Sequence, residues 1–270
     1  MGSDPDPLVQ EGGAAYSPEE RRQLLIEILR RDQRINVREV STRLAVSEVT
    51  IRGDLDVLER DGLARRVWGG AVLPSGWRHE PIFTARLNQN RQAKERIAAA
   101  AADLIVDGDS IIVDASSTTF YLAPYLKQRS ELTVITNGIQ LALELATSEQ
   151  VTTILIGGMV RGRNLSLVGM LGEEMLNRLY AGKGFFSARG LSLVQGLSER
   201  HIPEAQLKSA MVQRVEQVIA LLDTSKLGQT SLTSFCPFEK IQRLFTAGAV
   251  PPDLMESFAA TGLPIDYVGA

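Results

Sequence analysis

A single cysteine, Cys236, excludes an internal disulfide and any thiolate cluster for a metal. Histidine is nearly as scarce: His79 and His201 stand most of the chain apart, with no metal-ligand spacing, so neither a metal nor another cofactor is expected. No apolar run approaches the roughly 20 residues that a membrane span needs, and the acidic start, Met1 to Glu11, is not a signal peptide. A cytoplasmic protein with no membrane partner is therefore expected. Charge of one sign is also lacking. With a formal net charge of -3, binding to a polyanion has to come from the arrangement of cations and not from bulk charge.

What the chain does have is a dense run of signals from Asn36 to Gly70. Asn36 is placed to cap a helix, with Glu39 completing a capping box, and Leu44-Ala45-Val46 ends that helix on a tight apolar turn. Ser47 then caps a second helix. There Ile51, Leu55 and Leu58 recur at i, i+4 and i+7 and face inward, leaving Glu48, Val49, Arg52, Gly53 and Asp56 outward. Gly62 stops this helix, and residues 63 to 72 read as a short hairpin around Arg65 and Arg66, closed by Gly69-Gly70. An earlier amphipathic helix opens at Ser17-Pro18-Glu19-Glu20 and turns Leu24, Leu25, Ile28 and Leu29 inward.

Three helices and a hairpin make a winged helix-turn-helix over residues 17 to 73. Such a fold puts the first turn of its second motif helix into the major groove of double-stranded DNA. The expected DNA-binding residues are Ser47, Glu48, Val49, Thr50, Arg52 and Gly53, with Arg65 and Arg66 on the wing. Every basic residue between Glu19 and Val72 is arginine, the side chain suited to bidentate phosphate and guanine contacts. One short helix reads few base pairs, so a homodimer or homotetramer is expected.

The 270 residues exceed one such module by about 200, enough for a second core. Residues 1 to 16, rich in proline, glycine and acids, read as a disordered tail, and the turn formers of residues 74 to 81 read as a linker. From 82 to 270 the pattern is α/β. A long helix is expected from about 82 to 105, then apolar strands near 110–114, 132–136, 152–156, 184–188 and 217–222, with another at 243–246. Helices starting near Thr118, Gly138, Gly169 and Pro203 alternate with them, which indicates a mostly parallel sheet covered on both faces.

Ligands of such sheets bind beyond the carboxyl ends of the strands, and these ends are polar and glycine-rich. They read Asp114-Ala115-Ser116-Ser117-Thr118-Thr119, Thr136-Asn137-Gly138, Gly157-Gly158 with Arg161 close behind, and Asp223-Thr224-Ser225-Lys226. Any one of them is an ordinary cap or turn; four together point to a common pocket for a phosphorylated polyol.

The run Val46-Ser47, Thr50-Ile51-Arg52, Asp54-Leu55, Leu58-Glu59 and Gly69-Gly70-Ala71 resembles the N-terminal domain of DeoR-type bacterial transcriptional regulators. Residues 75 to 250 resemble the effector domain of that family, whose fold is similar to ribose-5-phosphate isomerase. The resemblance implies a repressor of sugar or nucleoside genes gated by a phosphorylated sugar. Asp114 and Ser116, Ser117, Thr118 and Thr119 would hold the phosphate, with Thr136, Asn137, Glu204, Lys208 and Lys226 around the sugar. Departures from the family pattern stand at Gly53, usually basic, at Ser116, usually glycine, and at Gly182 and Ala247, where aspartates are usual and their absence is expected to remove hydroxyl acceptors. No catalytic residue is assigned. The alternative is an isomerase-like enzyme with an appended DNA-binding module, its base Glu204 or Asp223, and a third reading is a constitutive DNA binder whose second domain only dimerises.

Overall fold

The computed structural model of the protein describes residues 16–73 and 82–269. The expected linker, and all but the last residue of the expected tail, lie outside the described residues. The chain divides into two compact units, Met1–Ala85 and Arg86–Ala270.

The first unit runs α1 (Pro18–Asp32), β1 (Arg34–Asn36), α2 (Val37–Arg43), α3 (Glu48–Arg60), β2 (Arg65–Val67) and β3 (Gly70–Val72). The capping box falls on α1: Ser17 Oγ accepts from Glu20 N (3.3 Å), and Ser17 N donates to Glu20 Oε2 (2.9 Å). At α2 the expected box is only half formed. Asn36 Oδ1 accepts from the amides of Arg38 and Glu39 (3.0 and 3.3 Å), while Glu39 pairs with Arg43. Asn36 is also the last residue of β1, a strand not expected from the sequence, and is registered there with Gly70. The wing is thus a three-stranded sheet of order β1-β3-β2. Glycine is obligatory at 70, because a Cβ there would lie 1.9 Å from the carbonyl oxygen of Ile35.

Leu25, Ile28, Leu29, Ile51, Leu55 and Leu58 form the core of this unit, as the helical spacing predicts, and Ile35 of β1 and Val40 of α2 join them. One buried polar contact joins them: the guanidinium of Arg21 on α1 grips the Asp54 carboxylate on α3 through Nε and, at 3.2 Å, Nη2.

The second unit contains α4 (Phe83–Asn88, crossing the division), α5 (Arg91–Ala102), β4 (Ser110–Val113), α6 (Ala123–Leu126), β5 (Leu132–Thr136), α7 (Ile139–Leu145), β6 (Val151–Leu155), β7 (Met159–Arg161), β8 (Ser166–Val168), α8 (Met170–Leu176), β9 (Ala181–Phe186), β10 (Gly190–Ser192), β11 (Gly196–Glu199), α9 (Ile202–Val212), β12 (Val215–Asp223), β13 (Thr233–Cys236), β14 (Ile241–Ala247), α10 (Pro252–Ala259) and β15 (Ile265–Tyr267). Seven strands make one sheet of order β15-β14-β12-β9-β4-β5-β6, every neighbouring pair parallel. Apolar clusters cover its two faces. Ile112, Ile135, Phe186, Ala220 and Leu222 point to one, and Ile111, Val113, Val134, Phe185, Ile219 and Leu221 to the other. This alternation explains the unbroken apolar reading of each strand.

The long helix expected from 82 to 105 is instead two. Asn90 adopts the left-handed conformation (φ 52°) between α4 and α5, and its Nδ2 donates to Asp223 Oδ1 (2.9 Å). Asparagine tolerates that conformation better than other non-glycine residues, which lets an otherwise helical pattern break without a glycine or proline. The helix expected near Thr118 begins as a 3-10 turn, Thr119–Leu122, and only then becomes α6.

Candidate functional site

The outward face of α3 carries the expected groups. Ser47 Oγ caps it, accepting from Thr50 N at 3.1 Å, so neither side chain is idle. Val49 is 75% exposed, and Arg52 and Gly53 are exposed. Arg52 pairs with Glu48 one turn back (2.8 Å), both partly exposed, a contact of little stabilising value that a base or phosphate can replace. On the wing Arg65 is exposed, whereas Arg66 is braced: its amide donates to Glu59 Oε1 (2.7 Å) and its guanidinium lies 3.2 Å from Asp56 Oδ1. Trp68, overlooked in the sequence, stands 98% exposed between β2 and β3. A tryptophan flanked by Arg65-Arg66 and Gly69-Gly70 was the available signal.

In the second unit the carboxyl ends of β4 and β9 converge on Lys208 of α9, which is 1% exposed. Its Nζ contacts Asp114 Oδ2 (2.8 Å), Glu199 Oε1 (2.7 Å) and the Ser187 carbonyl (2.9 Å). Burial alone would lower the pKa of Lys208, but the Asp114 and Glu199 carboxylates hold it above its ordinary value. The loop after β4 is tied inward as well. Thr119 Oγ1 lies 2.8 Å from the Asp114 carbonyl and 2.9 Å from Asp114 Oδ1, and Ser116 Oγ accepts from Thr119 N (3.1 Å). Thr118 Oγ1 is 3.4 Å from Ser187 Oγ, and Ser117 is buried beside them. From β5, Asn137 bridges the loop to β8, accepting from Ala115 N (2.9 Å) and donating to the Leu167 carbonyl (3.1 Å), while Thr136 Oγ1 accepts from Gly138 N (3.0 Å). These hydroxyls and amides are buried at the strand ends and satisfy one another's hydrogen bonds.

A second group surrounds Glu204 on α9. Its carboxylate accepts from Arg161 Nη1 of β7 and from Asn164 Nδ2 (3.0 Å) in the turn between β7 and β8. Gly157-Gly158 turns the chain into this hairpin. A Cβ at Gly158 would lie 2.4 Å from the Val168 carbonyl oxygen, so glycine is required there by close backbone approach, while Gly157 faces open space. Lys226 belongs elsewhere, in the 3-10 turn after β12, beside Asp223 and Lys94. Asp223 is occupied by Asn90 and by Ser225 N (3.2 Å). Lys94 donates to the Arg86 carbonyl, and burial pulls its pKa down to about 8 against the attraction of Asp223. The sequence reading missed Glu199, Asn164, Arg86 and Lys94. For Lys94 the signal was a cation at stripe spacing from buried Ile97, Ala98 and Ala101.

The departures separate by position. Gly182 opens β9, at the opposite end of the sheet from the pocket, so the aspartate absent there takes no carboxylate from the pocket. That corrects its reading as a lost hydroxyl acceptor. Ala247 ends β14, in register with Asp223, at the carboxyl end of the sheet beside the turn that carries Lys226. Ser116 folds its hydroxyl back onto the Thr119 amide instead of projecting into the loop.

An exposed capped helix beside an arginine-bearing wing, followed by a parallel α/β domain with a buried polar cluster at its strand ends, defines a DNA-binding transcriptional regulator of the helix-turn-helix class. Its first part matches the DeoR-like helix-turn-helix domain over residues 21–76, and its second the DeoR C terminal sensor domain over 89–247. The protein belongs to the DeoR family. It is 38% identical to the HTH-type transcriptional regulator GolR of Listeria innocua over 92% of this chain and 98% of that one. It is 35% identical to the HTH-type transcriptional repressor GlcR of Bacillus subtilis over 84% and 88%, and 31% identical to the putative aga operon transcriptional repressor of Escherichia coli O157:H7 over 93% and 94%. A solved D-ribose-5-phosphate isomerase in complex with phospho-erythronic acid is similar over 51% of this chain and 54% of that one, with a TM-score of 0.39 and 16% identity.

Proposed function

We propose that the protein represses genes of sugar use, binding its operator as a homodimer or higher homo-oligomer in the cytoplasm and releasing it when a phosphorylated sugar enters the second unit. The observation that carries this is the joining, in one chain, of an exposed reading helix to a set of strand ends where Asp114, Glu199 and Lys208 are buried together beneath a loop of hydroxyls. Hydroxyls and amides suit a polyol, and cations suit its phosphate. The relatives of Bacillus subtilis and Escherichia coli named above are called repressors, which supports the sign. Release needs the ligand to favour one arrangement of the oligomer over the other, typically by about 1–3 kcal/mol.

Regulation and not turnover fits the carboxylates. Glu204 is engaged by Arg161 and Asn164, and Asp223 by Asn90 and Ser225, which leaves neither placed as a base. Self-association has a candidate surface in Met159 and Val160 of β7 with Met170 and Leu171 of α8, all about two-thirds exposed and next to the sheet edge at β6. The test is a panel of pentose and hexose phosphates, each scored by the melting temperature of the protein and by fluorescence anisotropy on its operator. Stabilisation by one compound together with lowered operator affinity is expected; a panel that changes neither refutes the reading.

A further inference from the structure

Among its described residues the first unit exposes two large apolar side chains, Val49 at 75% and Trp68 at 98%. Single exposed hydrophobics are common on protein surfaces, and neither would mean much alone. Their placement carries the information. Val49 lies in the first turn of α3, the turn expected in the major groove, and Trp68 stands on the wing close to exposed Arg65.

Trp68 is also presented rigidly. Val67 pairs with Gly70, so Trp68-Gly69 is a two-residue turn, and Gly69 takes a φ of 76° that a side chain would oppose. The Gly69 carbonyl accepts from Val37 N at the start of α2 (3.0 Å). Arg66 Nη1 donates to the Gly70 carbonyl (3.3 Å), and the amide and guanidinium of Arg66 reach Glu59 and Asp56 of α3. The turn is thereby tied to both helices of the motif, while the indole itself meets almost nothing. A tryptophan has few torsions to fix, so a ring held out on a braced turn loses little freedom when something covers it.

An α-helix is about 10–12 Å across and fills a major groove about 12 Å wide, so a hairpin beside it meets the backbone ridge and the minor groove beyond. Resting on α3 as the reading helix, we propose that Trp68 is a specificity-determining DNA contact: its indole enters the minor groove next to the segment read by α3, with Arg65 on the adjoining phosphate. The ring packs edge-on against deoxyribose, and Nε1–H donates to N3 of adenine or O2 of thymine, the acceptors that A·T pairs offer on that side. A G·C pair puts the guanine amino group in the way. Trp68 therefore favours A·T pairs flanking the site.

The probe is a duplex that the full-length protein selects from a random-sequence pool. Binding is read by anisotropy of the labelled duplex and, in a Trp77→Phe background, by the emission of Trp68 as the sole tryptophan. That emission should shift to the blue and resist acrylamide quenching once the duplex is bound. Trp68→Ala should weaken binding about tenfold, as loss of one covered aromatic ring implies, with an unchanged melting temperature because the residue packs against almost nothing. Changing flanking A·T pairs to G·C should weaken the wild type but not Trp68→Ala, and inosine·cytosine pairs, which lack the amino group, should restore the wild type. An indole that stays quenchable on the bound duplex, or wild-type affinity in Trp68→Ala, would overturn the contact. An alanine loss equal on A·T and G·C flanks would overturn the role in specificity. A loss confined to Arg52→Ala sinks Trp68 alone, whereas wild-type affinity in both variants removes the reading role of α3 as well.

Discussion

Asp54 is the residue of α3 whose loss should be most damaging, although it contacts no base on this structure's geometry. Its carboxylate is buried and gripped by Arg21, which is equally buried, so the pair locks α1 across α3. Replacing Asp54 with alanine leaves a guanidinium in the core without its counter-charge, a change that costs about 3–5 kcal/mol. A domain of this length holds in total about 3–8 kcal/mol, at about 0.05–0.15 kcal/mol per residue. Asp54→Ala should therefore bring the first unit to the edge of unfolding while the second unit, with its own core, stays folded. The double variant Arg21→Met with Asp54→Leu removes both charges and should recover most of the loss, giving a large coupling in a double-mutant cycle.

The tryptophans supply the assay. Trp68 stands on the wing of the first unit, so with Trp77 replaced by phenylalanine tryptophan emission during urea unfolding follows that unit while circular dichroism follows the whole chain. The two midpoints should separate widely in Asp54→Ala, with operator binding lost in parallel. An alanine variant that keeps the wild-type emission midpoint but loses operator binding would refute the reasoning, since it would make Asp54 a DNA contact and not a core ion pair.

Three further outcomes follow from the geometry. Arg52→Ala should lower operator affinity by about 1–3 kcal/mol if the guanidinium leaves Glu48 for a base, measured by anisotropy on the cognate and a scrambled site; equal losses on both would assign it to phosphate. Gly53→Ala should stabilise the first unit by about 0.5–1 kcal/mol, because nothing lies within 4 Å of the added Cβ and glycine is the weaker helix former; a lowered emission midpoint would contradict this. Lys94, held at about 8 when folded against an ordinary 10.5, binds more protons in the unfolded chain between those two values, so its burial is a penalty present below pH 8 that fades as pH rises, by about 3 kcal/mol. Subtracting Lys94→Met from wild-type unfolding free energies between pH 7 and 11 should show that rise, and a flat difference would exclude it.

Much of the fold was legible because its signals are local. The caps at Ser17 and Ser47, the i, i+4, i+7 stripe of Ile51, Leu55 and Leu58, and the five-residue apolar strands each follow from side chains within one turn or one strand. What escaped depends on distant partners. β1 exists because Gly70 allows its backbone against Ile35, and the break at Asn90 is braced by Asp223, 133 residues later. Strands of three or four residues such as β10 and β11 carry too few side chains to show a period. The candidate pocket divides in the same way: Asp114, Ser116 to Thr119 and Asn137 stood out as polar ends of apolar strands. Glu199, Asn164 and Arg86 become visible only when β11, the β7–β8 turn and α4 are brought beside Lys208 and Glu204.

The way these charges are arranged bears on how a ligand acts. The carboxylates at the pocket are already paired, Asp114 and Glu199 with Lys208, and Glu204 with Arg161 and Asn164, so an entering anion finds cations that are held, not idle. On the proposed function binding would exchange partners: a phosphate drawing on Arg161 would loosen Glu204, and with it the β7–β8 hairpin that Asn164 anchors to α9. Part of the ligand's binding free energy goes into that rearrangement, which lowers apparent affinity but couples occupancy to the position of a hairpin bearing exposed Met159 and Val160. Moving a two-state equilibrium from 1:99 to 99:1 takes about 5.5 kcal/mol of differential affinity, more than one exposed ion pair supplies and within reach of several buried ones acting together. Carboxylates that are already paired before a ligand arrives would thus suit the proposed switch better than cations left open to hold an anion tightly.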